Sequence, residues 1–120
     1  MHAIESQLWK LTRKRVFDLY GTNCYTCNQT LLVGANLQCG HAYPKGALGA
    51  SLRYDVRVLR PQCFNDNINL GGMSVVFWKN LEKEMGKEEA DALYEECRLS
   101  KGRPIKARDH YLKLIQEYSL

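Results

Sequence analysis

An α+β fold is predicted for this chain of 120 residues by three observations: apolar residues at helical spacing towards both ends, a turn-rich middle that holds four of the five cysteines, and short β-type runs inside that middle. The length fits one domain with a modest core, which a bound metal would supplement. With 45% hydrophobic and 25% charged residues and no low-complexity tract, the composition excludes a disordered chain.

The first element is an amphipathic helix over about Ser6 to Tyr20, with Leu8, Leu11, Val16 and Leu19 near one face, Lys10, Arg13 and Lys14 between them, and Gly21 as its stop. From Cys24 to Arg60 the pattern turns short and punctuated. It predicts a strand through Leu31–Val33, a turn at Gly34 and Asn36, and a strand carrying Leu37 into His41. Pro44, Gly46 and Gly49 make the next segment a loop, and Val56 to Leu59 continue it as extended chain before Pro61. Helices follow over Ser74–Met85, from Lys87 to about Leu99 with Ala90, Leu93, Tyr94 and Cys97 on one face, and around Tyr111, Leu114, Ile115 and Tyr118. The organisation is an N-terminal helix (1–22), a central unit (23–73) and C-terminal helices (74–120).

Cys24-Tyr-Thr-Cys27, then Cys39-Gly40-His41, then Cys63-Phe64-Asn65-Asp66-Asn67 is the pattern that carries chemistry. A C-x-x-C closed by a distant second knuckle supplies four ligands for a tetrahedral zinc. Here the second knuckle ends in Asp66, so the expected ligands of a structural zinc are Cys24, Cys27, Cys63 and Asp66. The alternative turns Asp66 towards a second ion and completes the zinc with Cys39 or water. An odd cysteine count with a tight C-x-x-C points to metal binding in a reducing compartment, not to a disulfide scaffold. Redox chemistry at Cys24 and Cys27 is the weaker reading, because the motif does not open a helix after a strand. Asn67 would open a short helix and offer its amide oxygen to a hard cation, magnesium or manganese. A neutral His41 facing that cation describes a phosphodiesterase in which the imidazole deprotonates water.

Net charge is +4, and its distribution is more telling than its total. Residues 1–65 carry eight Lys or Arg against three acids, residues 82–97 carry seven acids against Lys83 and Lys87, and residues 98–113 return to six bases against Asp109. Two basic blocks around an acidic one fit a polyanion partner, since clustered Lys and Arg attract phosphate without regard to sequence. Lys45, Arg53, Arg57 and Arg60 are the candidate phosphate contacts. No apolar run is long enough to cross a bilayer and the N-terminus lacks the apolar segment of a signal peptide, so the expectation is a cytoplasmic protein with no membrane partner.

The order Cys-x-x-Cys, Gly-His, Arg-Tyr-Asp and Gln-Cys-x-x-x-Asn followed by Gly-Gly resembles the zinc-knuckle HNH endonucleases, above all the phage NinG (Rap) recombination-protein group, which is similar in turn to phage resolvases of the endonuclease VII type. The resemblance covers roughly residues 8–118. It implies a zinc-braced ββα-metal (His-Me finger) core, metal-dependent cleavage or nicking of DNA, branched DNA included, and a cytoplasm that is the host's for a phage-encoded chain; it is compatible with a homodimer. By position, His41 matches the general base, Asn67 the helix residue that binds the catalytic ion, and Cys24, Cys27 and Cys63 the zinc ligands. The family's central asparagine falls near Val58, its fourth knuckle cysteine at Asp66, and the acid that often precedes the histidine is absent from Gln38-Cys39-Gly40. These departures support a second reading, a catalytically weakened relative that binds DNA or protein.

Overall fold

The computed structural model describes all 120 residues. Its elements are α1 (His2–Tyr20), β1 (Gln38–His41), β2 (Leu59–Gln62), α2 (Ser74–Met85), α3 (Lys87–Ser100) and α4 (Ala107–Tyr118), with single helical turns at Gly34–Asn36, Lys45–Ala47 and Val56–Val58 and one wide turn at Asn65–Asn69. The architecture is α+β, with helices packed about one two-stranded antiparallel sheet. No helix is long and apolar enough to cross a membrane.

The helices follow the apolar periodicity. Along α1, Leu8, Thr12 and Val16 are buried and the Thr12 hydroxyl donates to Leu8 O at 2.7 Å, a local bond that lets a polar residue sit on the inner face. α2 has the expected bounds, and α3 and α4 span the expected segments. The main core joins Val16 of α1 to Cys39, Val58 and Leu59 of the sheet region and to Phe77, Leu81, Leu93 and Cys97 of α2 and α3. A second cluster packs Leu8 and Tyr54 against Tyr111 and Leu114, so the aromatic stripe of α4 is packing surface. Gly49 lets the loop dock on the end of α3: its N–H donates to Ser100 Oγ at 2.8 Å, and a Cβ there would meet Ser100 O at 2.3 Å.

The central unit departs from expectation at its strands. Leu31–Val33 is not a strand. Its backbone is engaged by the knuckle, with Leu32 N donating to Thr22 O, and Leu31 adopts φ +50° while 77% exposed. Of this apolar run only Leu32 turns inward, onto Cys24 and Cys63. The partner of β1 is instead Leu59–Gln62, with Gln38 opposite Gln62 and His41 opposite Leu59. Pro61 is accommodated because a two-stranded sheet consists only of edges, and its carbonyl accepts from Tyr25 N–H at 2.9 Å. The sheet therefore fixes three things together: His41 at the end of β1, Cys63 just beyond β2, and the wide turn carrying Asp66 and Asn67.

Candidate metal centre and the surroundings of His41

Cys24, Cys27, Cys63 and Asp66 bring one ligand atom each into a cluster within 4.8 Å of one another. A tetrahedral zinc with sulfur at ~2.3 Å and oxygen at ~2.0 Å sets S···S edges of about 3.8 Å and S···O edges of about 3.5 Å. Cys27 Sγ lies 3.8 Å from Cys63 Sγ, and Cys24 Sγ lies 3.6 Å from Asp66 Oδ2. Asp66 is also 4% exposed and forms no ion pair with any Lys or Arg. A buried carboxylate without a cation is costly, and a metal ion supplies the missing charge. The donor set therefore fits a zinc-like ion, with Asp66 and not Cys39 at the fourth corner; Cys39 is buried in the main core.

The surroundings hold these ligands in place. Cys63 N–H donates to Cys24 Sγ at 3.2 Å and Asp66 N–H to Cys63 Sγ at 3.4 Å, so the knuckle backbone supports its own sulfurs. A side-chain relay then runs from Gln62 Nε2 to Thr26 Oγ1 at 2.9 Å and from Thr26 Oγ1 to Asp66 Oδ2 at 2.7 Å, orienting the carboxylate. Gln62 also donates to Gly72 O at 2.9 Å, which ties the relay to the chain entering α2. Gly40 is required here, because a Cβ would fall 1.7 Å from Gln62 Oε1. Sequence reasoning did not single out Thr26 and Gln62; their position between and beside the knuckle cysteines was the available signal. Burial pushes the Cys27 thiol up to about 12. At Cys24 burial also acts upward, but the hydrogen bonds from Cys63 and Thr26 outweigh it and the thiol lies below its ordinary value.

His41 ends β1 and faces α1. Its ring stacks on Trp9 at 5.8 Å with 6° between planes, and Nε2 donates to Arg53 O at 2.9 Å. A ring nitrogen bound to a carbonyl carries the proton, so Nδ1 is the basic nitrogen; it has no partner and is not sealed from solvent. Val58 is buried in the core, and the orienting role that its position would have played is taken by the Arg53 carbonyl. Burial lowers His41 to about 4, opposed by the Arg53 hydrogen bond and reinforced by the Lys45 and Arg53 charges. The sign follows directly. The unfolded chain takes up this proton first as pH falls, so stability is full above pH 6.5, declines towards pH 4 and by then has lost about 3 kcal/mol. Denaturation midpoints between pH 7 and pH 5 should fall in the wild type and fall less in His41→Phe; parallel slopes would remove His41 as the cause.

The other expected site residues are dispersed. Asn67 Nδ2 donates to Gln38 Oε1 at 3.1 Å, three residues from His41 along β1, about 10 Å away and by strand alternation on the opposite face. Lys45 is exposed, with Nζ 5.6 Å over the Trp9 ring and 5.9 Å over Tyr54. Arg53 is partly buried and donates to Leu48 O. Arg57 is tied to Asp55 and Glu96. Arg60 is not the phosphate contact expected of it: it is 1% exposed and spent on Glu84 and on backbone carbonyls, because its β2 position faces protein on every side. Comparison with protein-family models, with curated proteins and with solved structures finds no match.

Proposed function

We propose that this chain is a DNA phosphodiesterase of the zinc-braced HNH type, with His41 as general base. The observation that carries the reading is the state of His41: neutral at physiological pH, oriented by the Arg53 carbonyl and Trp9, with Nδ1 free to take a proton. The order β1, β2 and a following helical turn, pinned by the Cys24, Cys27, Cys63 and Asp66 cluster, is what a ββα-metal core requires and supports the same reading. In this chemistry water attacks phosphorus while the opposite bond from phosphorus to the sugar oxygen breaks, Nδ1 of His41 accepts the water's proton, the leaving oxygen takes a proton from solvent, and Lys45, close enough to act on the His41 charge, offsets the negative charge that develops on the phosphate.

The donors beside His41 do not form a cage for magnesium or manganese. The one cluster of three or more Cys, His, Asp or Glu ligands is the zinc-type site, the charges acting on His41 are Lys45 and Arg53, and Asn67 lies at the other end of β1. The same observation favours a second reading, a weakened relative that binds DNA without cutting it.

Cleavage of supercoiled plasmid and of a four-way junction, with magnesium or manganese and with chelator, separates the two. His41→Ala is expected to lower cutting at least ~100-fold while leaving DNA affinity intact. Binding of both substrates with no cutting by the wild type would establish the binding module instead.

A further inference from the structure

Beyond His41 lies a groove that takes no part in the proposed hydrolysis. A cavity of about 570 Å³ lies between the loop after β1 and the hairpin of α2 and α3. Ala42 and Ala90, small and buried, are among its lining residues and leave the space open. Three rings rise from it: Trp78 and Tyr94 meet at 5.0 Å and 83°, and Tyr43 and Tyr94 at 5.6 Å and 69°. Trp78 is held by its indole N–H, which donates to Ala42 O at 2.8 Å, so the aromatic wall is anchored to the residue following His41. Tyr94 is 45% exposed although its helical spacing marks it for the core.

A second cavity, of about 420 Å³, adjoins the first through Lys79 and Glu82 and adds Lys83 and Lys87. Aromatic surface opening onto a row of lysines is the arrangement that binds a single nucleic-acid strand, with bases on the rings and backbone along the charges. Within the acidic block of residues 82–97, Glu84 pairs with Arg60, Glu96 with Arg57, Glu95 with Arg98 and Asp91 with Lys87, while Glu82, which lines both cavities, has no cation partner; the unpaired charges along the rim are Lys79 and Lys83 against Glu82.

We propose that this groove holds an unstacked nucleobase of single-stranded DNA, on Tyr43, Trp78 and Tyr94, with the adjoining phosphates on Lys79 and Lys83. The substrate then carries unpaired nucleotides next to the scissile phosphate, a specificity that rests on the phosphodiesterase reading, whereas strand binding itself does not.

The test uses the zinc-loaded full chain, in wild-type and His41→Ala forms, titrated with labelled oligothymidylate and with a duplex of equal length. Tyr94→Ala is expected to weaken single-strand binding roughly tenfold and to leave duplex binding unchanged, with Tyr94→Phe close to wild type. Lys83→Ala, a wholly surface change, is expected to lower the salt slope for the single strand by about 0.7. Equal losses on both substrates, no loss, or saturable quenching of tryptophan fluorescence by tetramethylammonium that Tyr94→Ala abolishes would overturn the proposal. Because binding is read in His41→Ala as well, failure of the groove is distinct from failure of hydrolysis at His41.

Discussion

Cys63→Ser is expected to release the metal and to cost about 4 kcal/mol, a fall of about 15 °C in the thermal midpoint for a domain of this size. The reason lies in what the cluster joins. Cys24 and Cys27 follow α1, while Cys63 and Asp66 follow β2, so an ion held by all four would close residues 24–66 into one unit. The apolar support there is small, with Leu32 the only other buried side chain of the cluster that Cys24 and Cys63 form. Without the ion, Asp66 is left as a buried carboxylate with no cation, and the relay through Thr26 to Gln62 and Gly72 loses its anchor. The helical cluster of Leu8, Tyr54, Tyr111 and Leu114 does not touch the site and should keep its protection, so amide exchange should rise across residues 22–40 and 59–72 first. Metal affinity should also rise with pH, since the Cys27 thiol, held near 12, must lose its proton to bind. Metal content and thermal unfolding together decide the matter. A Cys63→Ser protein with a full equivalent of zinc and an unchanged midpoint would sink the assignment.

The cysteine ligands were legible because a C-x-x-C spacing encodes local geometry that little else in the fold can alter. Asp66 could be proposed from its knuckle position, but its choice over Cys39 depended on which face of β1 Cys39 occupies, and that is set by tertiary packing. The helices were legible from their period. The partner strand was not: Leu59–Gln62 contains an arginine and a proline and alternates no apolar residues, so it reads as loop until β1 lies beside it. Leu31–Val33 erred in the opposite direction, with strand-like residues placed where the chain wraps the candidate metal site. For the same reason charge misled at Arg60. Sequence gives the charge of a side chain, whereas only packing gives its burial. Tyr94 is the converse case, a residue on the core stripe of α3 that the α2–α3 hairpin leaves facing a groove.

Glu84→Ala is expected to cost about 3 kcal/mol, the larger of the two effects at the Arg60 pair being the cation it would strand. Arg60 donates through Nε to Glu84 at 3.2 Å and through Nη2 to the same carboxylate, while Nη1 serves Val56 O at 2.9 Å and Leu59 O at 2.7 Å. Its guanidinium also lies 3.8 Å over the Tyr20 ring, so α1, β2 and α2 meet on this one side chain. Glu84 itself is 38% exposed and can turn to water, but Arg60 cannot. Removing the acid therefore leaves a positive charge inside the protein with only carbonyls and rings to face it, and the loss falls at the lower end of the range for a broken buried pair. Glu84→Gln should lie between the two, because an amide keeps a hydrogen bond and gives up the charge. Denaturant unfolding measures this, and a change under about 1 kcal/mol would show that the carbonyls and Tyr20 suffice. The same variant tests the role of Arg60 on DNA. Freeing a phosphate-binding arginine from its acid would tighten DNA binding, whereas a buried structural arginine predicts a less stable protein whose folded form has unchanged DNA affinity and unchanged salt slope.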